Sequence, residues 1–160
     1  MALASAVHPW NEFALVAPEL AAFGAERFDD DHPSFLATVR DTHLPRVHPV
    51  SARVKAGHLA LYMYPTSPKG KDLMRDGRYA LHCSVADHQG GAGEFYVRGF
   101  GARVDDPDRQ RELADAGFPA KDGYVVVELG VDEAFSSTYP AAAPDPVIVR
   151  WRRAAASDAG

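Results

Sequence analysis

Between residues 34 and 151 the chain is a succession of short β-rich runs separated by compact turns, and no run is followed by a helix long enough to carry a crossover. Parallel neighbours require a crossover of about a dozen residues or more, usually helical, so this spacing commits the runs to antiparallel pairing. The runs fall at 34–40, 45–54, 58–64, 78–86, 94–105, 123–129 and 146–151, which makes six or seven strands. The turns at 41–44 and 55–57 are tight, and 87–93 is a soft, glycine-rich loop. Gly99 and Gly101 interrupt an alternating run (Phe95, Val97, Phe100, Val104) and mark a bulge or a barrel corner. The expected architecture is mainly β with flanking helices, a small antiparallel barrel rather than a doubly wound sheet.

Residues 11–28 carry helical spacing. Phe13, Val16, Leu20 and Phe23 form an apolar stripe, and Pro18 divides it into two helices. A short helix over 68–75 ends before Asp76-Gly77, where the glycine is expected to take a left-handed C-cap. Pro107 opens a charged helix over 108–116. The 160 residues read as one domain: a helical segment over 1–33, the barrel over 34–151 and a small, polar tail over 152–160 that is expected to fray.

Composition excludes several functions. A net charge of −5 argues against generic nucleic-acid binding, while a local basic pocket for one phosphate stays compatible with it. Cys83 is the only cysteine, so no intramolecular disulfide and no cysteine-rich zinc site can form; a buried, inert role is expected for it. His43, His48, His58, His82 and His88 show no metal-binding spacing, and no hydrolase or P-loop signature occurs. No apolar run approaches the length of a membrane span and no signal peptide is recognisable, so a cytoplasmic location is expected.

Two segments carry chemistry. In 45–54, alternation places Arg46, His48 and Val50 on one face and Val47 and Pro49 on the other. Pro49 cannot donate to a ladder, so this strand is expected at an edge, where it is either protected from aggregation or free to bond a planar ring. In Ser67-Pro68-Lys69-Gly70-Lys71-Asp72-Leu73, Ser67 can cap a helix, Pro68 suits its first position, and Gly70 allows close backbone approach. Lys69 and Lys71 add positive charge where the helix dipole already favours an anion.

These pieces, with Phe35-Leu36-Ala37-Thr38-Val39-Arg40 before them and Arg78-Tyr79-Ala80-Leu81-His82 and Glu94-Phe95-Tyr96-Val97-Arg98-Gly99 after, closely resemble the pyridoxamine 5′-phosphate oxidase-like flavin-binding split-barrel superfamily. The resemblance runs in order over 35–104, and the late Trp151 is in keeping with it. It implies a six-stranded split barrel and a homodimer with FMN at its interface, acting as an FMN-dependent oxidoreductase on a small-molecule substrate. By the same resemblance Arg46 reaches the FMN phosphate, and Val47, His48, Pro49 and Val50 line the isoalloxazine ring. Tyr62 takes the aromatic position before the phosphate turn, Ser67 and Lys69 hold the phosphate, and Glu94 stands where the true oxidases place a glutamine. Pro68 replaces a motif arginine and Ser51 a substrate-binding lysine, which argues against pyridoxamine phosphate as the substrate. Relatives that use the deazaflavin F420 or bind haem leave two alternatives open. One is an F420-dependent reductase, with Lys69 and Lys71 meeting the cofactor's anionic tail; the other is a non-catalytic flavin- or haem-binding module. No side chain is singled out as a catalytic acid or base.

Overall fold

A computed structural model describes residues 6–28 and 31–155. Two helices open the chain, α1 (Trp10–Val16) and α2 (Pro18–Arg27), divided by Pro18 as expected. The strands are β1 (Ser34–Val39), β2 (Pro45–Val50), β3 (Arg53–Lys55), β4 (His58–Met63), β5 (Arg78–His82), β6 (Glu94–Arg103), β7 (Val125–Leu129), β8 (Glu133–Thr138) and β9 (Val147–Arg152). Helix α3 (Pro68–Arg75) lies between β4 and β5, and α4 (Pro107–Asp115) between β6 and β7.

Every pairing is antiparallel. The run expected over 45–54 parts at Ser51 and Ala52, so that β2 pairs with β1 and β3 with β4. Counted as one bent strand, β2 and β3 close a ring with β4, β7, β6, β5 and β1. That is a six-stranded barrel. The split arises at β6, whose first half (Glu94 to Arg98) pairs with β8 while its end (Gly101 to Arg103) pairs with β7. Gly99 sits at this switch, where a Cβ would collide with the Gly130 carbonyl oxygen. The glycine corner read from the sequence is therefore a close approach between backbones.

The core fills the barrel and the space beneath α1 and α2. Leu36, Leu59, Leu61, Leu81, Val97 and Leu129 point inward, and Trp10, Phe13, Phe28 and Phe95 form an edge-to-face aromatic cluster. Cys83 is buried there and accepts the Phe95 amide at 3.2 Å. Val16, expected on the apolar stripe, is 64% exposed, because the break at Ala17 reorients α2 relative to α1. Gly77 is no left-handed cap either. Asp76 ends α3 in an extended conformation, and Gly77 is required because a Cβ would meet Phe100 at 2.5 Å.

Strand β8 went unread in the sequence. Its buried positions are Ala134, Ser136 and Ser137, small or polar residues that give no apolar alternation. The last strand runs one residue further than expected: Arg152 belongs to β9, and Arg153 donates its amide to the Asp132 carbonyl and pairs with Glu12. Residues 156–160 lie outside the described residues.

Candidate functional site

The bend between β2 and β3 opens a groove of about 490 Å³ at the barrel edge, within the usual size of a cofactor cleft. Pro49, Val50 and Ser51 form one lip; Arg53 and Lys55 of β3 and Tyr62 of β4 form the floor. Lys69 enters from the first turn of α3, and Phe118, Lys121 and Tyr124 close the far side from the connection after α4. Among the described residues the lining carries four cations and no carboxylate. Such a set attracts anions strongly, because low-dielectric walls reduce screening.

Local chemistry explains how α3 is set. The Ser67 hydroxyl accepts the Gly70 amide at 3.2 Å and donates to the Tyr64 carbonyl at 2.7 Å, so it caps the helix and locks the preceding turn. Gly70 approaches that same carbonyl: a Cβ would stand 2.6 Å from it. The close approach read from the sequence is thus to the protein's own backbone. One turn on, the buried Asp72 accepts from Arg46 Nε at 2.8 Å, from Thr38 Oγ1 at 2.9 Å and from Arg75 at 3.3 Å. Burial pushes the Asp72 carboxyl up, but the hydrogen bonds from Arg46, Thr38 and Arg75 outweigh it and hold the group below its ordinary value. This carboxylate ties α3 to β1 and β2, and so fixes Lys69 beside the Pro49 lip.

Of the residues singled out by sequence, Pro49, Val50, Tyr62 and Lys69 line the groove together. Arg46 lies beneath, engaged with Asp72. His48 shares its face, and its solvent-shielded Nε2 has no hydrogen-bond partner among the described residues. Desolvation, together with the charges of Lys69 and Arg46, lowers the His48 pKa. Val47 faces outward, Ser67 serves as the cap, and Lys71 is exposed outside the lining. Glu94 is at the start of β6, opposite Ser137, where it accepts from the Tyr139 hydroxyl at 3.2 Å; it does not line the groove.

Sequence reasoning missed Arg53, Lys55, Phe118, Lys121 and Tyr124. The far wall is assembled by long-range contacts: Tyr62 donates its hydroxyl to the Pro119 carbonyl at 2.6 Å, and Tyr124 donates to the Tyr64 hydroxyl at 2.7 Å with the rings stacked at 4.2 Å. Burial raises the Tyr62 pKa, so its phenol stays a donor to that carbonyl at neutral pH. No sequence signal marked 118–124, which holds two aromatics and a single lysine beside Asp122.

An antiparallel six-stranded ring with a split at β6 and a cationic cleft at the bend of its edge strand defines a split β-barrel. More particularly, this is the fold shared by the pyridoxamine 5′-phosphate oxidase-like split-barrel proteins. PhzG from Burkholderia lata 383, solved in complex with tetrahydrophenazine-1-carboxylic acid, superposes with a TM-score of 0.56 at 12% identity, over 90% of this chain and 93% of that one. A heme binding protein from Mycobacterium smegmatis gives 0.58 at 16% identity, over 79% of this chain and 57% of the other. An F420 reductase gives 0.51 at 18% identity, over 68% and 93%. At these identities the likeness is one of fold. No protein-family model matches the sequence, and no curated protein matches it.

Proposed function

We propose that the groove binds a flavin-type cofactor through its phosphate, FMN foremost, and that the protein is an FMN-dependent oxidoreductase working as a homodimer. The observation that carries this reading is the convergence of Lys69, Arg53, Lys55 and Lys121 on one cleft whose described lining holds no carboxylate, beside the edge of β2. That donor set fits a phosphate-bearing planar ring: ammonium groups for the anion, aromatic and apolar walls for the ring. A flavin would supply hydride or electron transfer, which no side chain of this chain provides. Lys69 would hold the phosphate by a charge-assisted hydrogen bond. Pro49 and Val50 would lie against the ring, with Tyr62 fixing the floor through its bond to Pro119. Four cations exceed what one phosphate needs, which favours the more anionic F420 as the second reading.

The dimer is supported by the outward face of the β1–β2 ladder. Phe35, Ala37 and Val39 stand across from Pro49, Val47 and Pro45, so this face carries apolar residues throughout. Val47 is 62% exposed and Phe35 42% exposed. Apolar patches of this kind mark interaction sites, and Pro49 joins this one to the groove. A second copy on this face would cover the open side of the cleft. Val47→Arg is expected to shift the protein to a monomer by light scattering and to weaken cofactor binding with it. A monomeric wild-type protein would contradict the interfacial site.

The cofactor reading is tested by titrating the purified protein with FMN and, separately, with F420, following ligand fluorescence. Saturable binding with preference for FMN is the expected result. Preference for F420 would move the protein to the deazaflavin reading, and binding of neither would contradict the cofactor assignment.

A further inference from the structure

The far wall of the groove differs from the α3 side in one respect: its cations rest on aromatic rings. Lys121 Nζ lies 4.6 Å from the Tyr124 ring centroid and 5.8 Å from that of Tyr62, and Lys55 Nζ lies 5.6 Å over Phe118. Neither lysine has an ion pair with a carboxylate among the described residues. Most exposed arginines of the fold, by contrast, are neutralised locally, as Arg78 is by Asp76 and Arg103 by Asp105. Two unneutralised ammonium groups on ring faces form a surface that is cationic and planar at once.

Lys121, Phe118 and Tyr124 also line a second cavity, of about 420 Å³, on the other side of the same connection. That cavity is floored by Leu113, Ala114 and Val126. The connection after α4 is therefore a shared wall between the cofactor groove and an adjoining space that Arg103, Gln110 and Arg111 also border. A ligand seated at this wall would meet rings and aliphatic side chains along its body and ammonium groups at its edge.

On these grounds we infer that the Lys55–Phe118–Lys121–Tyr124 wall is the substrate subsite, and that the substrate is a planar aromatic anion, a carboxylate or its equivalent, held beside the cofactor. The assignment rests on the reading of the groove as a cofactor site. The cations then fall into two sets, with Lys69 and Arg53 on the cofactor side and Lys55 and Lys121 serving the substrate anion. A neutral aromatic would gain the ring contacts but not the two charge-assisted bonds.

The test compares 2-naphthoate with its neutral analogue 2-naphthamide, both followed by their own fluorescence, on wild-type protein and on the Lys55→Met, Lys121→Met double variant. Methionine keeps the aliphatic stem, and thermal melting confirms that the variant is folded. Naphthoate is expected to bind the wild type at least tenfold more tightly than naphthamide. The double variant should lose that preference, with naphthamide affinity unchanged. Equal binding of the two probes to the wild type, or an undiminished preference in the variant, would each overturn the subsite. Failure of the wild type to bind FMN would sink the cofactor reading alone, since the naphthoate comparison reads the lysine wall independently.

Discussion

Asp72→Ala is expected to lower stability by about 1–3 kcal/mol, the usual cost of leaving hydrogen-bonded buried groups unsatisfied, since Arg46 and Arg75 are partly exposed and can be hydrated. For a domain of this size that is a drop in Tm of about 2–12 °C. The magnitude follows from position. Asp72 is 2% exposed and accepts from Thr38, Arg46 and Arg75, which belong to β1, β2 and α3. Truncation strands Arg46 and frees the buried Thr38 hydroxyl, and it detaches the helix that carries Lys69. Asp72→Asn keeps an acceptor of similar shape and should cost markedly less. Acid should act in the same direction. Because the folded protein depresses the Asp72 carboxyl, and Arg78 holds Asp76 at about 2, these groups contribute stability that is present above the ordinary carboxylate value. That stability is lost as pH falls through the folded values, so thermal melts between about pH 5 and pH 2 should show a progressive fall that is smaller in Asp72→Ala. A pH-independent melting temperature over that range would contradict the role given to these carboxylates.

The second large effect is on binding. Lys69→Ala should weaken FMN by about 10- to 150-fold, the equivalent of one charged hydrogen bond of about 1.5–3 kcal/mol. Lys71→Ala is the matched control. It removes the same charge two residues away, on a side chain that is exposed and outside the groove, and should leave affinity nearly unchanged. Added salt should reduce the Lys69 contribution only modestly, because the cleft is partly screened from the solvent. Equal losses for Lys69→Ala and Lys71→Ala would mean that general charge, not a positioned ammonium, draws the ligand.

The two lysines also show where the sequence was legible. Ser67 as cap and Pro68 as first helical residue follow from local rules, and α3 forms where those rules place it. Pro49 on an edge strand follows from its missing donor, and β2 does pair on one side only. Spacing alone does not distinguish the two lysines, because both flank Gly70; the family resemblance singles out Lys69, and the packing of α3 on β1 is what sets it in the cleft. Arg46 was legible as sharing a strand face with His48 and Val50. Its engagement with Asp72, 26 residues on, depends on tertiary contact that strand alternation does not encode.

The barrel itself was read nearly whole, because antiparallel closure is dictated by short runs and tight turns. Strand β8 escaped because Ser136 and Ser137 are buried where alternation predicts apolar side chains. The far wall of the groove escaped for a different reason. Phe118, Lys121 and Tyr124 lie in an irregular connection without periodicity, and Tyr62, some 57 residues earlier, holds it in place through the Pro119 carbonyl. Loops that acquire function this way carry no local signature, since their backbone obeys no repeating pattern.

The most direct test of the central claim, that the groove at the β2–β3 bend is the cofactor site, is amide hydrogen exchange of the protein with and without saturating FMN. Protection is expected in the segments carrying Val50 and Ser51, Tyr62 to Tyr64, the first turn of α3 around Lys69, and the connection from Gly117 to Tyr124, with the β8–β9 hairpin unaffected. Protection confined to other segments, or none at saturation, would contradict it.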